Sequence, residues 1–557
     1  MQRNASSSSF PAIGAARRWL RNTGLWSIGA ALIALVVLGP ILSVLWTALW
    51  PEENIWPHLV ATTLPRYLSN SLILMASVGA LTAATGTGAA WLITRYRFPA
   101  SRWLEYLLLL PLAIPAYIGA YALVDFLEYA GPLQTGLRGL FGWSSARDYW
   151  FPDIRSKTGA IIVLSASLYP YVYLLSRAAF REQSGGAEEV AMSLGKGPFA
   201  RFWSIGLPMA RPAIAAAVAI VMMETVNDFG TVDYFAVQTL TTGIFSVWLQ
   251  SYNAGGAAQI ACVILGLVVA LVLLEKSSRR RLHFYTLSSR HRPVTRVHLP
   301  GWQGRVATVL CAFPFVLGFV LPCGVILSHA LSQSGGWSDP GLLRALVHTV
   351  TVCGIAAVVT VLAAVFLVYG VRVSGAGLPK LLMPVTTIGY AAPGAVLAVG
   401  ILIPLALMDH RLADAVAAVT GHDPGLVLTG TAFAVVLAYC VRFFAIAQGA
   451  ADSAMGRVPP SLPMAARSLG RNRAATLREV HFPLIRGSLA SALLLVFVDC
   501  VKELPATLLL RPFNYDTLAT RVFEKASLER LGEAAPAAVL VILVGLCAVG
   551  LLARTNR

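Results

Sequence analysis

Glu189-Val-Ala-Met-Ser-Leu-Gly195, running on to Ile205-Gly-Leu-Pro208, is nearly repeated as Met464-Ala-Ala-Arg-Ser-Leu-Gly470, running on to Val480-His-Phe-Pro483. Gly195 maps to Gly470, Pro208 to Pro483 and Arg211 to Arg486, all at one offset of 275 residues. Both copies are polar and basic, and long apolar runs flank each. A chain that carries one such loop twice reads as two fused halves, each docking a partner through its loop.

The flanking runs set the fold class. The chain is 57% hydrophobic and only 12% charged, against about 25% charged in soluble domains. Its apolar runs reach the roughly 20 residues a bilayer-spanning helix needs. The expected fold is an all-α polytopic membrane protein with about twelve transmembrane helices. The predicted spans are 25–48, 70–94, 104–127, 158–180, 209–228 and 256–274 in the first half. The second half gives 306–330, 347–370, 380–407, 427–448, 487–504 and 536–553. The run from Leu25 to Trp50 is too long for a signal peptide and is read as the first span.

The net charge of +17 does not call for nucleic acid, because the cations cluster between spans. Arg17, Arg18 and Arg21, then Arg95, Arg97 and Arg102, both repeated loops, the 276–305 segment and the Arg554/Arg557 tail all fall on one side. The positive-inside rule makes that side cytoplasmic and puts both termini there. The expected organisation is a cytoplasmic tail over 1–24, a first half over 25–275 with its core at 70–275, a basic and flexible linker over 276–305, and a second half over 306–557 with its core at 346–553. An even number of spans separates the copies, so the repeat is parallel, about an axis near the membrane normal. The seven cysteines lie in or beside apolar runs, with no CxxC pair, and read as small core residues.

Each repeated loop reads as a short helix stopped by glycine. Ala187, Val190, Ala191 and Leu194 share one face. Glu188 and Glu189 suit the positive helix start, and Gly195 or Gly470 supplies a left-handed C-cap. In the second copy Pro459-Pro460 precede the helix and Ser461 is the expected cap. A helix outside the membrane needs a surface for its apolar face, either lipid or a partner; two matched copies favour a twofold-related partner.

The pattern resembles the Glu-Ala-Ala, three residues, Gly, nine residues, Ile-x-Leu-Pro signature of ABC importer permeases. The first copy matches at Glu189, Ala191, Gly195, Ile205, Leu207 and Pro208, and the second at Ala465, Ala466, Gly470 and Pro483. Met464 stands where the second acid is expected, so the two docking contacts are expected to be unequal. Pro111-Leu-Ala-Ile-Pro115-Ala-Tyr117, Asp228-Phe-Gly-Thr-Val-Asp-Tyr234 and Lys502-Glu-Leu-Pro-Ala-Thr-Leu-Leu-Leu-Arg-Pro-Phe513 look like the fused permeases of ferric-iron importers. The resemblance implies two type I permease domains in a bacterial inner membrane. It also implies two copies of an ABC ATPase that uses ATP and Mg, and a periplasmic binding protein that delivers Fe(III). Thiamine and aminoethylphosphonate permeases share this architecture. The chain has no GxxxxGK[ST], HExxH or GxSxG motif, so it is expected to have no catalytic residues and to bind no cofactor itself. A gradient-driven carrier would also have twelve spans in parallel halves, but has no use for paired docking loops.

The 275-residue offset also pairs acids inside the membrane: Glu224 with Asp499 and Asp228 with Glu503. Spaced i, i+4, each pair is expected to share a helix face. Ionisable groups in a span usually face a bundle interior or a wet cavity. The four are read as lining a translocation path with transient Fe(III) contact, since carboxylate oxygens suit hard cations. The alternatives are gating salt bridges with Lys502, Arg511 or Arg521, or helix-end solvation. Asp233, Tyr234 and Asp516 are candidates for the outer mouth. Pro111, Pro115 and Pro393 read as helix kinks. Tyr169-Pro-Tyr-Val-Tyr173 reads as a packing or interfacial feature, and His348 and His481 have no metal-type partner spacing.

Overall fold

The computed structural model describes residues 25–183, 191–280, 296–374, 378–387, 389 and 392–555. The tail over 1–24, Ala187, Glu188, Glu189 and Val190, and half of the linker, 281–295, lie outside the described residues. Among the described residues, eleven helices are long and apolar enough to cross a membrane. A twelfth candidate is a bent pair, Ser101–Ala113 with Ala116–Phe141, which turns by 97°.

The bend corrects the third expected span. Its helix breaks into a tight turn at Leu110–Ala113 and restarts with Pro115 as N-cap of Ala116–Leu127. Proline cannot donate to the preceding turn and clashes with it, so an apolar run that hydropathy reads as continuous divides here. The ninth expected span, 380–407, divides in the same way. Leu378–Thr386 is one helix, and Pro393 caps a second that runs from Gly394 to Thr420. The expected kinks at Pro115 and Pro393 are therefore full helix starts.

The repeat extends to backbone detail. In the first half, Pro198–Arg201, a wide π turn at Phe202–Gly206 and Leu207–Asn227 follow one another. In the second half, Arg473–Thr476, a π turn at Leu477–His481 and Phe482–Lys502 follow at the same 275 offset. One contact beneath the π turns differs in a compensated way. A Cβ at Gly206 would collide with the Trp91 ring. At the matching place His481 packs edge-on against Tyr369, ring centres 5.3 Å apart. The larger ring faces glycine and the smaller ring faces histidine.

Each half lends its first helix to the other. Leu25–Leu49 packs against Pro340–Ser374, Leu378–Thr386 and Gly394–Thr420 as well as against Ala254–Arg280. In return, Gly301–Phe315 packs on Leu64–Arg95, and Leu321–Ser332 on Ala116–Leu127. The largest buried cluster accordingly mixes residues of both halves, including Val37, Ile118, Tyr121, Leu367 and Leu397.

The linker is anchored at its C-terminal end, where a flexible connector was expected. Val297–His298 forms a parallel two-residue bridge with Tyr96–Arg97, and Leu299 N donates to Arg97 O at 2.9 Å. Beneath this bridge the buried Glu105 gathers Arg177, Arg181 and Arg296, the last at 3.2 Å. Arg177 and Arg181 belong to the helix Lys157–Glu182 that leads into the first repeated loop.

Candidate functional site: two matched loops and a charged cavity

The two loops close in the same way. Gly195 N donates to Met192 O at 2.9 Å and Lys196 N to Ala191 O at 3.0 Å. Gly470 N donates to Arg467 O and Arg471 N to Ala466 O, both at 3.0 Å. The glycines sit at φ +74° and +80°, the left-handed region where a side chain is costly. Helix Ser461–Ser468 buries none of its residues. Leu194 is 72% exposed, Met464 67% and Leu469 81%, so apolar surface stands open on both loops. Ala465, Ala466, Leu207, Pro208 and Pro483 are half-buried or exposed, whereas Ala191 is buried. Ser461 is the first helical residue and caps nothing; Pro460 holds the N-cap position, with no side-chain bond.

The roots of the first loop are tied together. Arg95 Nη2 donates to Gln183 Oε1 at 2.7 Å, and Gln183 Nε2 donates to Gly206 O at 3.0 Å. Gln183, at the root of the loop, is thus hydrogen-bonded to the residue just before Leu207–Asn227, the helix that carries Glu224.

Glu224, Asp228, Asp499 and Glu503 all line one cavity of about 210 Å³. The two broken helix starts contribute to it or adjoin it: Leu112, Ile114, Pro115 and Tyr117 lie in its wall, and Gly394 touches two of its side chains. Irregular backbone at membrane depth is tolerated where it lines such a cavity. Lys502 Nζ donates to Leu112 O at 2.6 Å, which satisfies a carbonyl freed by the break. A Cβ at Gly394 would collide with Glu503 Oε1 and Arg442 Nη1, so the absence of a side chain lets this helix start abut the charged pair.

The shared-face expectation fails by one residue. Leu207–Asn227 ends before Asp228, and Phe482–Lys502 ends before Glu503. Both acids lie outside the helix and turn to the next short helix. Asp228 Oδ1 accepts from Thr231 N at 3.0 Å and Val232 N at 3.1 Å, and its Oδ2 accepts from Thr231 Oγ1 at 3.0 Å. Glu503 Oε2 accepts from Ala506 N at 3.2 Å and Thr507 Oγ1 at 3.4 Å. These are side-chain caps of N–H groups that would otherwise lack partners. Among the described residues no three His, Cys, Asp or Glu side chains come together as a metal-holding group. The four carboxylates share a cavity without forming a ligand set.

Of the three expected cations only Lys502 lies with these acids, in the cavity wall. Arg511 pairs with Asp516 and Glu524, and Arg521 with Asp339. Glu503 is met instead by Arg442, Nη1 to Oε1 3.3 Å. Arg442 went unremarked in the sequence because the matching first-half residue is Ser167; it is nonetheless a lone cation in the apolar helix Phe433–Gly456, which the membrane-charge rule flags. The cavity is thus asymmetric: Ser167 stands at the place matching Arg442, and Asn227 at the place matching Lys502. The buried Asn227 Oδ1 and the Tyr117 hydroxyl meet no hydrogen-bond partner among the described residues. The wall therefore holds unused polar capacity.

The three mouth candidates lie elsewhere. Asp233 is exposed. Tyr234 packs edge-on against Tyr121 at 4.5 Å beneath the Arg155 guanidinium. Asp516 is held by Arg511, and its carbonyl oxygen meets His348 Nδ1 at 3.0 Å. None lines the cavity. Tyr169 and Tyr173 are fully buried, Tyr173 donating to Glu105 O at 2.9 Å; Tyr171 lines the cavity.

Membrane-length helices around a charged cavity define a multi-pass helical architecture with a polar interior. Residues 78–283 match the binding-protein-dependent transport system inner membrane component family. The first half of the chain is thus similar to the inner-membrane component of binding-protein-dependent transport systems. The chain is 27% identical over 485 residues to the Fe(3+)-transport system permease protein FbpB 2 of Haemophilus influenzae, covering 86% of this chain and 87% of that protein. It is 22% identical to the ferric transport system permease protein FbpB of Actinobacillus pleuropneumoniae, covering 86% of this chain and 70% of that protein. The sulfate transport system permease protein CysT of Escherichia coli is 27% identical over 263 residues, 44% of this chain and 88% of its own length.

Proposed function

We propose that this permease imports ferric iron, driven by two ATPase subunits docked on the loops around 187–199 and 462–474. The observation that carries the iron reading is the similarity, over 86% of the chain, to permeases named for Fe(3+) and ferric transport. The matched glycine caps and open apolar residues of both loops support their use as docking helices. ATP and Mg would act on the partner, closing the ATPase pair and drawing the two loops together. Movement would pass through Gln183 and Gly206 to the helix bearing Glu224. The binding protein would seat on the loops over 128–157, 229–255 and 505–535, with both termini on the cytoplasmic side. The halves over 25–275 and 306–557 would act as two permease domains joined by the 276–305 linker.

In this reading Glu224, Asp228, Asp499 and Glu503 line the path, and iron passes them by transient contact, not by residence in a site. Glu224 and Asp499 have no cap or ion pair among the described residues, which leaves them the freer pair. The first loop, with Glu189, would be more sensitive to charge substitution than the second, with Met464. The test is uptake by the permease reconstituted with its ATPase and binding protein. Radiolabelled ferric iron should accumulate with ATP, and thiamine, aminoethylphosphonate and sulfate should not compete. Accumulation of one of those three in place of iron would overturn the substrate assignment. Undiminished iron uptake by the quadruple neutral variant of the four acids would remove them from the path.

A further inference from the structure

A second pocket lies where the linker's anchored end meets the segment after Leu64–Arg95. It measures about 590 Å³ and is lined by Arg97, Arg102, Trp103, Arg296 and His298, among others, with no carboxylate in its wall. Arg296 reaches Glu105, but Arg97, Arg102 and His298 meet no acid among the described residues. The pocket lies between the end of Leu64–Arg95 and the start of Gly301–Ser332, two stretches long enough to cross a membrane. That is the level at which helices leave the hydrocarbon. Trp103 is 75% exposed and Trp302 68% exposed beside it, as suits indole rings at the headgroup layer.

A guanidinium offers paired N–H donors in a fork that matches phosphate oxygens. Two such groups, Arg97 and Arg102, and an imidazole without a balancing acid, beside a third guanidinium shared with Glu105, make a receptor for a phosphate-bearing anion. Basic pockets between membrane helices take anionic headgroups. We propose that this pocket binds the headgroup of an anionic phospholipid, of the phosphatidylglycerol or cardiolipin kind. The site is part of the permease's own cycle, because Arg296 belongs both to the pocket and to the Glu105 cluster. That cluster holds Arg177 and Arg181 just ahead of the first repeated loop. A bound headgroup competes with Glu105 for Arg296 and so acts on the root of a docking loop.

The experiment is lipid titration of the purified full chain in detergent, read as bound-lipid adducts by native mass spectrometry. Phosphatidylglycerol should bind the wild type at least several-fold more tightly than phosphatidylcholine. A juxtamembrane cation is worth about five-fold in affinity for an anionic lipid, so Arg97→Gln or Arg102→Gln should each cost about that factor, and the pair about 25-fold. Either single variant decides the matter if the pair cannot be purified. Arg147→Gln, exposed at the opposite end of the molecule, should leave affinity unchanged. Equal binding of the two lipids, or full phosphatidylglycerol affinity in the folded variants, overturns the proposal. Displacement of the lipid by millimolar inorganic phosphate also overturns it, assigning the pocket to free phosphate.

Discussion

Neutralising Glu503 tests the charged cavity most directly. Its side chain is 1% exposed and lies 3.3 Å from Arg442, which is 15% exposed. Two unit charges at that distance attract by about 5 kcal/mol at an effective dielectric near 20. Desolvation of both groups offsets most of that attraction, so the intact pair adds little net stability. Removing one partner differs, because it strands the other charge; the cost for buried pairs is about 3–5 kcal/mol. The lower figure applies here, since Arg442 borders the cavity and the amide oxygen of a glutamine would still accept from Ala506 and Thr507. Glu503→Gln should therefore lose about 3 kcal/mol. Arg442→Met combined with Glu503→Gln should recover most of it, for a coupling of about 2 kcal/mol. The assay is graded-detergent unfolding of the full chain in mixed micelles, run as a double-mutant cycle beside iron uptake. Single-variant effects that add to within about 0.5 kcal/mol would refute the pair as an energetic unit.

Three other outcomes follow from the same geometry. Gly470→Ala places a side chain at φ +80° in otherwise open space; it should cost about 1–2 kcal/mol of loop stability and reduce co-purified ATPase, with Gly470→Asn milder. Asp228→Ala should lose about 1 kcal/mol through its cap, whereas Asp228→Asn should keep the fold, so that any uptake lost by the Asn variant in a transport assay reports charge. Lys502→Met strands the Leu112 carbonyl and should lower stability by about 1–3 kcal/mol in the same unfolding titration.

Much of the architecture was legible because it rests on two long-range signals, apolar run length and a fixed offset. Both survive in a sequence read without neighbours. The broken helices were not legible in the same way. Pro115 and Pro393 sit inside runs that stay apolar on either side, so hydropathy joined what the backbone divides. The offset found Glu224, Asp228, Asp499 and Glu503, and the cavity gathers all four. It misjudged the local backbone, because Asp228 and Glu503 compete for the N–H groups of the next turn and leave the helix. It also hid Arg442, since a filter for repeated features discards a residue present in one half alone. The grip of Glu105 on Arg296 spans 191 residues, a separation at which charge patterning carries no pairing information.

The asymmetry of the cavity bears on how the molecule assembles. Two copies of the first half would face Ser167 and Asn227 with themselves and bring acids together without a cation. Two copies of the second would bring two arginines and two lysines to one place. Only one half of each kind gives the broken helix of the first half, at Leu112, its Lys502 from the second. Joining the halves covalently raises the local concentration of the right partner far above that of any free competitor. The exchanged first helices then make that choice hard to reverse. Fusion fixes the stoichiometry of the two unequal halves around this cavity at one to one.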